Sequence, residues 1–396
     1  FTEDNVISVA SFYMPVVHVN YIANIVSDTS STVRKTLMVM LTSFLCELKD
    51  RGDYETKLLP YVLDLLGDPN DEIATDAYLC LKKCGELYEK EHSDEVIDRK
   101  QLGIDGDSRI NLSKSLPRPF LERPTIGTRL FVRGNTKRFL RAILTELTSW
   151  SEDVRLRSVH LLKMVVVLCE EHITMDASVL VSDLLRILLF SLNEDSGNMH
   201  EGLLEVIELL GRYLSPDVYI HLLLPLIAGY TECNPCDGNN PMSHITYLKF
   251  LNSIMSGSKP TEIAKHFTSL LDKLLDSYEI MLLDVISSFD VIIDVRSFFA
   301  ESPSLTFEVL TNVYILVNSI LDSIPEERIS SIVETQYLAT GRLKTSHGVL
   351  DRCYEFLISG VLLNHPKISV LASRGLSSNC LNQHNYINNP LYSLII

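Results

Sequence analysis

Two cysteines in the stretch CNPC, Cys233 and Cys236, have the spacing that most directly suggests chemistry. Thiolates two residues apart bind zinc or exchange a disulfide. A structural zinc site needs four ligands, but the sequence has no second CxxC and no HxxxH, and His244 stands alone. Because the surrounding TECNPCDGNNP is rich in turn-forming residues, we interpret both as loop cysteines. We expect no metal and no cofactor, with a metal or redox site at CNPC as the alternative.

Other polar residues give weaker signals. Asp105, Gly106 and Asp107 resemble the start of a calcium loop, but the glycine is misplaced and the twelfth position is not Glu. His160 falls between the apolar positions of its helix, which predicts a surface histidine. The sequence also lacks GxxxxGK, GxGxxG, GxSxG and HExxH motifs. We therefore expect no catalytic residues and a protein that is not an enzyme.

A basic run stands out from an acidic chain whose formal net charge is −16. Within it only Glu122 carries the opposite charge. The simplest interpretation is a solvated run beside a helix, and the alternative is a docking patch for an acidic partner. The candidate protein-contact patch consists of Arg118, Arg123, Arg129, Arg133, Lys137, Arg138 and Arg141.

The secondary structure that would position these residues is clearest in residues 58–88, LLPYVLDLLGDPNDEIATDAYLCLKKCGELY. Two apolar runs with helical spacing flank the polar break GDPNDE. Gly67 suits a left-handed helix end, Asp68 a cap of the next helix, and Pro69 its first position. The stretch therefore predicts a helical hairpin.

Related second helices recur along the chain. Their apolar pattern begins at Val33 and Ile73, 40 residues apart, and again at Val154 and Met199, 45 residues apart. These are HEAT-type periods. The pattern predicts an all-α fold, a HEAT/armadillo-type α-solenoid of stacked antiparallel helix pairs.

The predicted organisation has four parts. Residues 1–92 hold N-terminal HEAT repeats, 93–127 form an insertion or loop rich in Gly and Pro, 128–365 continue the repeats, and 366–396 are a frayed or disordered tail. The later predicted helices are Leu222–Tyr230, Met242–Met255, Ile263–Leu275, Met281–Ile293, Leu305–Ile324 and residues 345–363.

Composition narrows the classes of function. A pI near 5.1 disfavours nucleic acid as a ligand, because phosphate binding needs a basic surface. No run approaches the roughly 18 apolar residues of a membrane span, so we expect a soluble protein without a membrane partner. Cysteines at core positions, such as Cys80, Cys84 and Cys169, indicate small apolar fillers in a reduced, cytoplasmic compartment.

Residues 117–225 carry a family resemblance. The segments LERPTIGTRLFVRGNTKRFLRAILTELTSW and ELLGRYLSPDVYIHLLLP resemble the HEAT-repeat dynein axonemal assembly factors, specifically the fifth of the axonemal dynein preassembly factors. The features that carry the resemblance are Arg123, Pro124, Gly127 and Arg129 before a helix, Trp150 before the next, and SPDVY at 215–219.

The resemblance implies a non-catalytic, co-chaperone-like scaffold in cytoplasmic preassembly of inner and outer dynein arms for motile cilia. Its implied partners are axonemal dynein intermediate or heavy chains and other preassembly factors or heat-shock chaperones. Members of that family are longer than 396 residues, so we expect a fragment. The alternatives are a karyopherin-type nuclear transport receptor, which would bind a small GTPase, and a phosphatase-type HEAT scaffold.

Overall fold

A computed structural model gives the fold. It describes residues 21–48, 52–101, 116–193, 197–228, 241–288, 303–325, 349–363 and 365–378. In these ranges the regular elements are helices and there is no strand, which confirms the all-α, solenoid-type class. The chain divides into two compact units, Phe1–Leu214 and Ser215–Ile396.

The first unit is a series of helix pairs. In it α2 packs on α4, α4 on α6, α6 and α7 on α8, and α8 on α10. A 3₁₀ segment, Glu170–Asp176, joins α8 to α9. The helices are α1 Tyr21–Val26, α2 Ser31–Glu47, α3 Gly52–Leu65, α4 Asp71–Glu91, α5 Ser93–Gln101, α6 Ile126–Arg133, α7 Thr136–Glu146, α8 Glu152–Cys169, α9 Ala177–Asn193 and α10 Gly197–Tyr213.

The predicted hairpin at 58–88 is formed by α3 and α4, but its turn differs from the prediction in two ways. Asn70 is the N-cap of α4, and its Oδ1 accepts a hydrogen bond from the backbone N of Glu72 at 2.9 Å. Asp68 instead forms an ion pair with Arg34 of α2, in which Arg34 Nε lies 2.6 Å from Asp68 Oδ2. The cap lies two residues later than predicted because Asp68 is engaged by the neighbouring helix.

Gly67 serves packing rather than a left-handed turn. A Cβ built on Gly67 would collide with the imidazole ring of His160 in α8. The ring therefore occupies the space that a side chain at 67 would need. The interpretation of His160 as a surface residue is wrong, since its Nε2 is buried without a hydrogen-bond partner and burial lowers its pKa to about 4.

The apolar pattern of the second helices matches their buried faces. In α10 every predicted position is buried, from Met199 to Leu214, and in α4 the positions from Ile73 to Cys84 are buried. In α2, Leu37 and Leu41 are buried and Met40 and Phe44 are partly buried, but Val33 and Leu48 at its two ends are 38% and 42% exposed. Burial thus follows the helical period except where a helix end extends past its neighbours.

The predicted loop at 93–127 is wrong over its first nine residues. Helix α5 spans Ser93–Gln101, and Val96 packs with Ile126 and Leu130 of α6 and with Tyr88 of α4. Few apolar residues lie in this segment, so its own periodicity is weak and the contact with α6 stabilises it. Residues 102–115 lie outside the described part of the chain.

The second unit contains seven helices in the described ranges. Helix α12 packs on α15, α11 on α14, α14 on α15 and α16, and α17 on both α15 and α16. They are α11 Pro216–Ala228, α12 Pro241–Gly257, α13 Pro260–Ile263, α14 Phe267–Ser288, α15 Pro303–Ser323, α16 Val349–Leu362 and α17 Pro366–Leu376.

Two predictions fail in this unit. The two helices predicted at Ile263–Leu275 and Met281–Ile293 are replaced by one continuous helix, Phe267–Ser288, because no residue from 276 to 280 breaks it; residues 289–293 lie outside the described part of the chain. The predicted frayed tail begins with α17, whose Ile368 and Ala372 are fully buried. Asn318 of α15 also donates from Nδ2 to the backbone O of Leu371 at 2.9 Å, so tertiary contacts order this segment.

Candidate functional site

Arg129 and Arg133 of the basic patch predicted from the sequence lie on α6, and α4 holds that helix in place. A Cβ on Gly85 of α4 would collide with the backbone of Thr128 in α6, so only glycine permits this close approach. Glu89 adds a contact, since its Oε1 accepts from the backbone N of Gly127 at 2.9 Å. The two helices therefore fix the direction of the arginines that follow on α6.

Three arginines of the predicted patch, Arg123 before α6 and Arg129 and Arg133 on it, converge on the carboxylate of Glu170. Arg123 reaches it with Nε and Nη2 at 2.8 and 2.7 Å, and Arg129 with Nη1 at 2.6 Å. Arg133 Nη2 lies 3.8 Å from Glu170 and 2.7 Å from Oε1 of Glu171. Such charge-assisted, partly bidentate bonds offset the cost of burying the charges.

Glu170 itself is fully buried and has an unusual backbone. Its φ is 48° and ψ is −129°, in a region that L-residues rarely adopt. It stands where α8 ends, and this turn directs its side chain toward α6. The fold therefore keeps a charged residue in a strained conformation in order to complete the cluster.

The structure corrects the sequence-based patch. Arg129 and Arg133 are 3% and 6% exposed, so their interpretation as part of a protein-contact surface is wrong. Arg123 is partly buried in the same cluster. These arginines are buried because they pair with Glu170 and Glu171. This acidic pair lies about 40 residues away in sequence, and only the packing of the helices brings it near.

The remaining basic residues are on the surface. Arg118 is largely exposed and pairs with Asp71. Lys137 and Arg141 lie one turn apart on the outer face of α7, and neither has an ion-pair partner among the residues that the structure describes. Arg138 belongs to α7, but its side chain lies outside the described set.

This face of α7 continues to an aromatic residue that sequence reasoning did not assign to a contact. Thr145 and Thr148 extend the exposed stripe, and Trp150, the single tryptophan, is 94% exposed in the turn after it. Arg155 Nη1 donates to the backbone O of Ser149 at 2.9 Å and fixes that turn. The sequence did contain a signal for this exposed residue, because Trp150 falls outside the apolar positions of the predicted helices.

Helix packing also gathers three thiols. Cys46 of α2 and Cys80 and Cys84 of α4 have all their Sγ atoms within 4.8 Å of one another. Hydrogen bonding with Cys46 raises the pKa of Cys80 to about 12, and contacts with Cys46 and Cys80 raise that of Cys84. In the part of the chain that the structure describes, this is the one group with the ligand types and spacing of a metal site.

The two sequence motifs considered for metals lie elsewhere. Cys233 and Cys236 of CNPC, and Asp105 to Asp107, fall outside the described residues. Within the described ranges, His244 is buried, and its Nδ1 lies 3.1 Å from the hydroxyl of Tyr278. Burial lowers the pKa of His244 to about 4, so the ring is neutral at physiological pH.

Among the described helices, none is both long and apolar enough to cross a lipid bilayer.

Comparison with known proteins agrees with this architecture. A model of the dynein axonemal assembly factor 5 HEAT-repeat domain matches residues 115–286. A model of dynein axonemal assembly factor 5-like TPR repeats matches residues 5–99. The chain belongs to the dynein axonemal assembly factor 5 family. The Arg123–Glu170 cluster and α7 lie in the HEAT-repeat match, and the three thiols lie in the TPR match.

Individual relatives carry the name dynein axonemal assembly factor 5. The Xenopus laevis protein is 27% identical over 208 residues, which is 52% of this chain and 23% of the relative. The Drosophila melanogaster protein is 29% identical over 201 residues, 51% of this chain and 22% of the relative. The Homo sapiens protein is 25% identical over 197 residues, 50% and 22% respectively. The match spans less than a quarter of each relative.

The TPR description of residues 5–99 differs from the HEAT repeats predicted there. TPR units repeat every 34 residues and HEAT units about every 40 to 47. Helices α2 and α4 begin at Ser31 and Asp71, 40 residues apart, which is a HEAT-like spacing. Both repeat types stack helix pairs, so the family assignment and the all-α class are the same in either description.

Proposed function

We propose that this chain is a non-catalytic, co-chaperone-like scaffold that acts in the cytoplasm during preassembly of inner and outer axonemal dynein arms. The observation that carries the proposal is membership in the dynein axonemal assembly factor 5 family, whose relatives bear that name. Stacked helix pairs offer extended surfaces suited to binding other proteins. The partners we propose are dynein intermediate or heavy chains, with other preassembly factors or heat-shock chaperones.

The exposed face of α7 is the contact surface that we propose for this role. We call it the α7 face and define it by Lys137, Arg141, Thr145, Thr148 and Trp150. Its two basic residues have no ion-pair partner among the described residues, on a chain of net charge −16. These positive charges favour binding to an acidic segment of the partner. Tryptophan is enriched among the residues that contribute most of the binding energy at protein interfaces.

The test is capture of dynein subunits from cytosol of ciliated cells by the 396-residue chain, with mass spectrometry to identify intermediate and heavy chains. Lys137→Glu combined with Arg141→Glu removes two favourable charges, and exposed pairs contribute up to about 1 kcal/mol each. We therefore expect capture to weaken about tenfold. Trp150→Ala should weaken it independently of salt concentration.

A matched control is available on α4. Lys83 and Lys90 are also exposed, so Lys83→Glu combined with Lys90→Glu makes the same charge change away from the α7 face. Equal loss in both double variants would remove the α7 face from the proposal.

Failure of the wild-type chain to recover any dynein subunit, together with direct binding of a small GTPase, would replace the assembly role by a transport-receptor role.

A further inference from the structure

Three cysteines meet between α2 and α4 in an arrangement that apolar packing does not require. Cys80 and Cys84 are four residues apart on α4, so their side chains lie on one face, one turn apart. Cys46 comes from the last turn of α2, which packs on that face. The cluster therefore takes two ligands from one helix and one from another, as many metal sites between helices do.

The sulfur separations match those of sulfur atoms around one ion. Cys46 Sγ lies 3.8 Å from Cys84 Sγ, and all three sulfur atoms lie within 4.8 Å of one another. With Zn–S bonds of about 2.3 Å, tetrahedral coordination places sulfur atoms about 3.8 Å apart. The cluster needs only small side-chain rotations to reach that geometry, whereas a disulfide would require two sulfur atoms to approach to about 2.0 Å.

The surroundings suit an ion with access from solvent. Cys80 and Cys84 are buried, but Cys46 is half-buried, so an ion and a water molecule can reach the cluster from its side.

We propose that Cys46, Cys80 and Cys84 bind one Zn²⁺ ion as three thiolates, with a water molecule as the fourth ligand. On binding, three S–H bonds break, three Zn–S bonds form, and three protons pass to solvent, with no electron transferred. Three thiolate ligands select a soft ion of this kind over Mg²⁺ or Ca²⁺. The bound ion fastens the end of α2 to the middle of α4.

The first measurement is the zinc content of the 396-residue chain, purified under reducing conditions with zinc present and then desalted. We expect about one ion per wild-type chain by elemental mass spectrometry. Cys46→Ala should lose the ion, and circular dichroism should show that its helices persist, because Cys46 lies at a helix end. Cys80→Ala is the second variant, with the same expected loss.

Two control variants separate this site from other thiols. Cys353→Ala removes a buried cysteine from α16, and Cys233→Ser combined with Cys236→Ser removes the CNPC pair. Both should keep the zinc. Loss of zinc in the CNPC variant with retention in Cys46→Ala would overturn the proposal and assign the metal to that loop.

Cobalt provides a direct view of the ligands. Co²⁺ added to the metal-free wild-type chain should give an intense thiolate-to-metal charge-transfer band in the near ultraviolet, which is weaker or absent in Cys46→Ala. Added Zn²⁺ should raise the midpoint of thermal unfolding in the wild type and in the two control variants, but not in Cys46→Ala or Cys80→Ala. A wild-type chain with neither zinc nor this band, or one that forms a Cys46–Cys84 disulfide instead, would overturn the proposal. None of these readouts depends on dynein binding.

Discussion

The cluster around Glu170 gives a prediction whose size follows from the structure. Glu170→Gln keeps the side-chain volume but removes the carboxylate that the buried guanidinium of Arg129 contacts at 2.6 Å, while Arg133 keeps its pair with Glu171. Removing one partner of a buried ionic group costs about 3–5 kcal/mol. In a unit of this length, that corresponds to a fall of roughly 6–20 °C in the midpoint of thermal unfolding.

Backbone strain at Glu170 can be separated from its charge. Glu170→Ala removes the carboxylate but keeps a Cβ at a φ of 48°. Glu170→Gly removes the carboxylate and also relieves strain of about 1–3 kcal/mol, partly offset by the about 0.5–1 kcal/mol that glycine loses on folding. We expect the glycine variant to be more stable than the alanine variant by up to about 2 kcal/mol.

The assay is urea unfolding followed by the circular dichroism of the helices. Glu171→Gln is the matched control: its side chain is 27% exposed, and Arg133 keeps its bond to the backbone O of Cys169 and its contact with Glu170, so we expect a loss of at most about 1 kcal/mol. A Glu170→Gln variant within that same margin of the wild type would refute the reasoning about the buried charge. A glycine variant no more stable than the alanine variant would refute the reasoning about strain.

Two further predictions concern the turn between α3 and α4 and its surroundings. Gly67→Ala places a methyl group against the His160 ring and should destabilise the first unit by about 1–3 kcal/mol in urea unfolding, whereas adding His160→Ala removes the collision; equal effects in both backgrounds would contradict this. Burial raises the pKa of Asp64 from its ordinary 3.8 to about 6, so the folded chain binds this proton more tightly than the unfolded chain. Its contribution to stability is therefore complete below about pH 4 and lost as pH rises through about 6. Asp64→Asn should remove that slope from thermal unfolding and stabilise the chain by about 1–3 kcal/mol at pH 7; an unchanged slope would contradict the assignment.

Much of the fold could be predicted because helical burial is periodic. The pattern starting at Met199 matches the buried face of α10 at every position, and the hairpin around Gly67 is formed where predicted. Helices α5 and α17 were missed because their stability comes from contacts with other helices. Val96 of α5 packs with Ile126 and Leu130 of α6, and Asn318 of α15 bonds to the backbone O of Leu371 in α17, 53 residues away.

The candidate site was predictable only in part. Composition located a basic run, but not which of its residues face solvent: Lys137 and Arg141 do, and Arg129 and Arg133 do not. The three thiols were overlooked because Cys46 has no short-range spacing to the other two. Spacing motifs detect ligands that are close in sequence, and this cluster joins two helices.

The sequence by itself determined the helices, their apolar faces and the family resemblance, because each depends on residues within a few turns of one another or on motif wording. Only the tertiary structure decided that Arg129 pairs with Glu170, 41 residues away, and that Cys46 lies beside Cys84, 38 residues away. The physical reason is that helical periodicity acts over three or four residues. Charges and thiols from separate helices meet only when those helices pack.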